Sequence, residues 1–356
     1  MFLAWHEMKR SPLRFVLIIG VLALIAYLAF FLSGLATGLQ TVNRAAIDKW
    51  DADAIVLREE ADERLAASVI ETNKQSAIKA DEIAPLQQQT AIARYGKEKQ
   101  NVALFGLDKN SFIAPEISKG KQIQGMYETV ASDELKKDGV KIGDKLKLSG
   151  TDVQLKVVGF TKNATYNVAP VLYIDHATFR MIQYGELTEN NQSTINAFVI
   201  RTDKKLSTVT EDKTLQVVAM EDFIKKLPGY SEQNMTLSIM IYFLLAISSF
   251  IVAIFLYVLT VQKTEVFGIL KAQGISNGYL ARTVVAQTFI LTIIGLLIGF
   301  GLTLLSKQFL PESVPLTFDY SLMAIYAVIF LVIALLGSLF SVWTVSKIDP
   351  LKAIGG

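Results

Sequence analysis

Four stretches of this chain contain no Asp, Glu, Lys or Arg: Phe15–Leu39, Met235–Gln262, Thr283–Ser306 and Tyr320–Ser346. They are 25, 28, 24 and 27 residues long. Each exceeds the roughly 18–20 apolar residues that carry a helix across the hydrocarbon of a bilayer. Backbone surrounded by lipid must satisfy its own hydrogen bonds, so stretches of this length and composition are helices. The 35 basic and 33 acidic residues of the 356-residue chain are confined to what remains. The pattern predicts an α-helical membrane protein with four transmembrane helices plus a large α+β domain inserted between helices 1 and 2. It excludes a soluble enzyme, a disordered chain and a β-barrel. A net charge of +2 with no basic tract also argues against a nucleic-acid partner.

The charged remainder sets the expected orientation. The N-terminus (Lys9, Arg10, Arg14), the 263–282 loop (Lys263, Lys271, Arg282) and the tail (Lys347, Lys352) hold eight cations against the three anions Glu7, Glu265 and Asp349. The 307–319 loop has Lys307 against Glu312 and Asp319. By the positive-inside rule both termini and the 263–282 loop face the cytoplasm. The long insert lies outside, and its 26 basic and 28 acidic residues suit a translocated folded domain. The expected divisions are 1–39 (N-terminus and helix 1), 40–234 (extracellular α+β domain), 235–262 (helix 2) and 263–282 (cytoplasmic loop). They continue with 283–306 (helix 3), 307–319 (short extracellular loop), 320–346 (helix 4) and 347–356 (cytoplasmic tail). The first apolar stretch is too long for a signal-peptide h-region and has no small-residue cleavage site, so it reads as an uncleaved helix. A multi-pass membrane protein follows, with membrane lipids as its solvent.

Within the insert, β-rich runs at Ala54–Leu57, Thr90–Arg94, Asn101–Leu107, Val153–Phe160, Val171–Ile174 and Ala197–Arg201 read as strands. Asp62–Ile70, Ser132–Lys137, Asp175–Gln183 and Met220–Leu227 read as helices. Gly139 and Gly143 punctuate alternating residues up to Phe160, which predicts a small β-rich subdomain. No catalytic constellation emerges. His176 follows Asp175 without a serine to complete a triad, and reads as the start of a surface helix. With no cysteine and two histidines, thiol nucleophiles, disulfides and Cys- or His-rich metal sites are excluded.

Two absences narrow the function. The sequence holds no Gly-x-x-x-x-Gly-Lys-Ser/Thr, so ATP is not expected to bind here through a P-loop. The four spans hold no Asp, Glu, Lys, Arg or His, whereas ion-coupled transporters bind their coupling ion with such groups. Energy for any uphill movement has to come from another subunit.

The cytoplasmic loop reads Gln262-Lys-Thr-Glu-Val-Phe-Gly-Ile-Leu-Lys-Ala-Gln-Gly-Ile-Ser276. It resembles the coupling segment of the MacB/FtsX/LolC-type permeases, the type VII ABC transporters, through Lys263, Glu265, Gly268, Ile269, Leu270, Lys271, Ala272, Gly274 and Ser276. The tail resembles the family's closing Asp-Pro-x-x-Ala motif through Asp349, Pro350 and Ala353. The order of one helix, a large outer domain and three helices agrees along the whole chain. Within the superfamily the chain is most similar to hemin-efflux permeases of the HrtB type. The residues that carry this are Ser33-Gly34-Leu35-Ala36 with Gly38-Leu39, Pro228-Gly229-Tyr230-Ser231, and the terminal Ala353-Ile-Gly-Gly356. One departure is that such relatives read Gly-Tyr-x-Ala-Glu-Gln where this chain reads Gly-Tyr-Ser-Glu-Gln, which displaces Glu232 by one position.

The resemblance implies a permease subunit, not itself an enzyme, working as a homodimer with two copies of a cytoplasmic ABC ATPase that binds ATP and Mg. No intrinsic cofactor is implied, and heme is the implied cargo. Alternatives of the same architecture are lipoprotein, peptide or drug efflux, or an FtsX-like relay that transports nothing and controls wall enzymes outside. An amphipathic helix bearing Val266, Ile269 and Leu270 suits a groove on the ATPase, or else an ordinary connector lying against headgroups. Gly34-x-x-x-Gly38 and Gly295-x-x-x-Gly299 allow close helix approach. The first pair reads as a dimer seam or as packing within the chain, the second as packing within the chain. Heme needs apolar walls, an axial ligand and cations for its propionates. The outer ends of helices 1 and 2 offer Tyr27, Phe30, Phe31, Tyr242 and Phe243 as walls. Arg44, Lys49, Lys225 and Lys226 are the nearby cations, and Glu232 is the first candidate for the iron ligand, ahead of Met235 or Tyr230. The plain alternative is a solvated Glu232 and an interfacial aromatic belt.

Overall fold

The structure is a computed structural model and describes residues 12–185, 194–262, 264–311 and 314–346. In chain order its main elements begin with α1 (Pro12–Asp48), β1 (Ala54–Arg58), β2 (Ile70–Glu71), β3 (Glu82–Tyr95), β4 (Glu98–Gly106), β5 (Lys119–Gly120) and β6 (Glu128–Ser132). There follow β7 (Lys145–Leu148), β8 (Gln154–Thr161), β9 (Thr165–Tyr166), β10 (Ala169–Ile174), α2 (His176–Tyr184), β11 (Thr194–Ile195), β12 (Ala197–Arg201), β13 (Leu215–Ala219) and α3 (Met220–Lys225). The chain then runs through α4 (Tyr230–Val261), α5 (Thr264–Ala272), α6 (Asn277–Phe309) and α7 (Tyr320–Ser346). It divides into two compact units, Leu39–Gln233 and the remainder.

In the helical unit, four helices are long and apolar enough to cross a membrane. Three outrun their charge-free windows, α6 at both ends. α1 continues to Asp48 because nothing between Gln40 and Asp48 breaks a helix, and the chain turns only at Asp51, with φ of 47°. α4 starts at Tyr230 rather than Met235, directly after Gly229, whose φ of 76° is a conformation only glycine adopts cheaply. Tyr230 and Glu232 are therefore helical. The packing of α6 on α1 explains Gly295 and Gly299. A Cβ at Gly295 would come within 2.7 Å of the Leu22 Cβ, and one at Gly299 within 2.7 Å of the Ala26 Cβ and 2.8 Å of the Ala23 carbonyl. In lipid, where no hydrophobic force pulls helices together, such backbone approach is a main source of packing attraction.

In the inserted unit, the sheet runs β13-β1-β12-β3-β4-β10-β6-β8-β5, and β7 pairs with both β3 and β8. The path β3-β4-β10-β6-β8-β7 thus returns to β3 and closes a six-stranded barrel, which removes the exposed edges an open sheet would carry. The predicted β-rich subdomain from Gly139 to Phe160 is one wall of this barrel rather than a separate body. Side chains alternate as strand geometry requires. Val102 and Leu104 of β4, with Leu172 and Ile174 of β10, join the cluster around Leu146, Leu155 and Val157. Their neighbours Phe105 and Tyr173 face the other way, toward Trp50, Phe223 and Tyr230. The 14-residue β3 links the barrel to β12, β1 and β13, because its first residues pair with β12 and its later ones with β4.

One predicted helix is absent. Across Asp62–Ile70 the chain forms short 3₁₀ turns and β2, because Asp62 and Glu63 both adopt the left-handed region, with φ of 51° and 58°. Ser132–Lys137 is a single 3₁₀ turn capped by Ser132. His176 does begin a helix, with the Asp175 carboxylate accepting from the Thr178 N–H at 2.6 Å, but its ring is largely buried. Its Nδ1–H donates to Gln87 Oε1 at 2.9 Å, and burial, with the Arg180 charge second, lowers its pKa to about 4. His176 is thus half-buried at the start of its helix, with its ring turned inward onto Gln87.

Candidate functional site: the coupling helix and the mouth of α4

The loop between the second and third spans folds as α5, and its two faces differ. Phe267 and Gly268 are buried, with Leu270 and Ile275 packed against the cluster of Phe267, Leu280 and Val284. Val266 and Ile269 are 50% and 47% exposed, beside the exposed Glu265. The Gly274 backbone, at φ of 90°, ends the helix, and the Ile275 N–H reaches back to the Leu270 carbonyl at 3.0 Å. This six-to-one closure is the Schellman arrangement, which requires a left-handed residue and so favours glycine. Ser276 then caps α6 through the Tyr279 N–H at 3.3 Å. The resulting short helix presents two apolar side chains and a carboxylate outward, on a base fixed by its own buried face. Lys263 and the tail residues Lys347, Asp349, Pro350 and Ala353 lie outside the described residues.

Residues proposed for the outer site fall in both units. In the inserted unit, Tyr230 is buried with Trp50, Phe223 and Leu227, which removes it as a surface ligand. Arg44 is committed to Asp48 at 2.7 Å and Glu221 at 2.8 Å. The other nearby cations are occupied too: Lys225 by Asp222 at 2.8 Å, Lys226 by Glu63 at 3.6 Å, and Lys49 by the Lys162 carbonyl. Arg44, one of the cations expected near the outer site, thus ties the end of α1 to the first turn of α3. Asn43, one residue before it, is buried and donates to the Leu39 carbonyl at 2.8 Å and to Gln233 Oε1 at 3.3 Å. Nothing in its spacing marked Asn43, Glu221 or Gln233 beforehand. Glu232 is exposed in the first turn of α4, where a negative charge suits the helix N-terminus.

In the helical unit, the aromatic residues separate. Phe30 is buried edge-on to Phe300, with centroids 6.1 Å apart. Tyr27 lies 5.8 Å from Phe31, and its hydroxyl accepts from Ser306 Oγ at 3.0 Å. Met235, Tyr242 and Phe243 are 67%, 60% and 66% exposed. With Ile239, Phe250, Ile254 and Tyr257 they make an uncovered apolar stripe along α4. Gly34 and Gly38 are covered by the chain's own 314–318 segment. A Cβ at Gly34 would lie 3.0 Å from the Phe318 ring, and one at Gly38 would fall on the Pro315 carbonyl. The Thr317 N–H donates to the Gly34 carbonyl at 3.1 Å. Of the two readings of this glycine pair, packing within the chain is what the structure contains, and the pair is not open to a second copy. Among the described residues no cluster of three His, Asp or Glu groups could hold a metal ion.

The matches to known families cover both units. Residues 15–212 match the MacB-like periplasmic core domain, and residues 238–350 match the FtsX-like permease C-terminal domain. This chain belongs to the MacB/FtsX-like permease family. The family is one of ABC transporter permeases, and the inserted unit is its periplasmic or extracellular domain. The chain is 29% identical over 359 residues to a protein named putative hemin transport system permease protein HrtB from Staphylococcus epidermidis. It is 27% identical over 357 residues to the protein of the same name from Staphylococcus haemolyticus. Each comparison covers 100% of this chain and 99% of the relative. The crystal structure of the extracellular domain of the noncanonic ABC-type transporter YknZ from Gram-positive bacteria covers 46% of this chain and 98% of its own, at 12% identity and a TM-score of 0.33.

Proposed function

We propose that this permease is the membrane subunit of an ATP-driven pump that exports heme. The observation that carries the reading is the full-length similarity to permeases named for hemin transport, joined to an α4 whose outer face is apolar along its length and bears Glu232 and Met235 at one end. A flat apolar ring with an iron atom suits that combination of wall and donor. The chain is proposed to place both termini and α5 in the cytoplasm, as the basic residues favour. α5 then offers Val266 and Ile269 to a groove on an ABC ATPase, present in two copies beneath a homodimer of this chain. The ATPase supplies ATP hydrolysis and Mg, and this chain supplies the path.

The site is made of two copies in this reading. The α1 glycine face is filled from within, and the open α4 stripes, which carry the exposed aromatics Tyr242, Phe243 and Phe250, are the surfaces proposed to face one another across the dimer. Glu232 then ligates the iron from the outer mouth, with Met235 one turn deeper, and Tyr242 and Phe243 forming the wall. ATP-driven movement at α5 shifts α4 against its mate and squeezes the cavity, a rigid-body transition between two states. Hemin titrated into the purified permease–ATPase complex tests this. The expected result is a shifted Soret band that saturates at one hemin per dimer and is lost or moved in Glu232→Ala. Absence of saturable hemin binding contradicts the proposal.

A further inference from the structure

A second apolar feature of the helical unit lies away from α4. α1, α6 and α7 enclose a groove of about 340 Å³, lined by Phe30, Leu296, Leu297, Phe300, Tyr320 and Met323 among others. It occupies the first two turns of α7 and the matching stretch of α6, next to the 310–319 connection. Its rings lead out to a cation. Phe300 and Tyr320 are 6.5 Å apart, Tyr320 and Phe318 another 6.5 Å, and the Lys307 ammonium stands 5.4 Å from the Phe318 ring. Lys307 is exposed and, among the described residues, forms no ion pair. The nearest described carboxylate in sequence, Asp319, is occupied in capping α7 through the N–H groups of Ser321 and Leu322 at 2.9 and 3.0 Å.

We infer that this groove holds an acyl chain of an anionic membrane phospholipid, with Lys307 meeting the phosphate. Charge complementarity selects the occupant: the slot is apolar within the span, and a lysine able to extend to the interface stands at its outer end. Aromatic rings between the two keep the ammonium near the wall by cation–π attraction. At about 340 Å³ the groove is at the small end of ligand pockets, suited to a flexible chain rather than a rigid macrocycle. The site also borders the strap on α1, since Phe318 packs on Gly34 and stands in the same ring series. A bound lipid therefore fastens the 314–318 segment onto α1. The inference does not depend on what the permease exports.

The test is native mass spectrometry of the full chain in detergent, with phosphatidylglycerol and phosphatidylcholine of identical acyl chains. The chain is expected to retain one phosphatidylglycerol at least fivefold more often than phosphatidylcholine. Lys307→Gln should abolish that preference while leaving retention of either lipid. Ala327 lines the groove from α7; Ala327→Phe, which fills it, should abolish retention of both, and Leu297→Trp at the exposed rim serves as a second groove-filling variant should the first fail to fold. Free glycerol phosphate should not compete. Equal retention of the two lipids by the unmodified chain, or unchanged retention in the folded groove-filling variants, overturns the inference.

Discussion

Gly38 and Gly20 sit on the same helix and separate two roles of glycine in a span. A Cβ at Gly38 would collide with the Pro315 carbonyl, whereas one at Gly20 meets nothing within 4 Å. Gly38→Ala is therefore expected to destabilise the helical unit by about 1–3 kcal/mol, the usual cost of overpacking. Gly20→Ala is expected to be neutral or to stabilise by up to about 1 kcal/mol through helix propensity. Thermal unfolding of the two purified variants checks both. His176 gives a second residue-scale prediction. Its pKa falls from 6.5 to about 4 on folding, so between those values the unfolded chain binds a proton that the folded chain refuses. Stability contributed by the neutral ring is fully present above pH 6.5 and is lost as pH falls toward 4, by an amount on the order of 3 kcal/mol. Amide exchange across α2 should accelerate over that window, and His176→Gln should flatten the dependence. An unchanged pH profile in the variant would assign the effect to another group.

At the scale of elements, α5 separates a packing face from a presenting face. Val266→Asp with Ile269→Asp alters only half-exposed side chains, so the permease should fold normally yet lose at least tenfold in association with its ATPase. Phe267→Ala removes a buried anchor of the same helix, and should cost about 3–5 kcal/mol of local stability. Co-purification and thermal unfolding measured together distinguish the two routes. Such elements differ in how far the sequence announces them. The four spans were legible because a charge in lipid is so costly that its absence over 24 or more residues has few other causes. Their ends were less so, since a helix leaving the bilayer stops only at a breaker, Asp51 for α1 and Gly229 for α4. The barrel was not legible: its closure depends on β7 reaching both β3 and β8, pairings more than 50 residues apart in the first case. The Asp62–Ile70 segment misled because its helical spacing is overridden by two consecutive left-handed residues that are neither glycine nor asparagine.

For the whole molecule, the partition of charge and the order of elements set the topology, the loop and tail motifs around Glu265, Gly268 and Asp349 carried the resemblance to the family, and the site required coordinates. Arg44, Lys49, Lys225 and Lys226 look alike in a sequence, and only coordinates show their partners Glu221, the Lys162 carbonyl, Asp222 and Glu63. The proposed path therefore runs along the α4 face, with Glu232 and Met235 at its end. The central claim is that ATP hydrolysis below drives heme out past that face. It is tested most directly by reconstituting the permease with its ATPase in liposomes loaded with hemin and following hemin in the two compartments. The account predicts hemin movement that requires ATP, is abolished by Val266→Asp with Ile269→Asp, and falls at least tenfold in Glu232→Ala while ATP hydrolysis persists. Robust ATP hydrolysis with no ATP-dependent movement of hemin would contradict it.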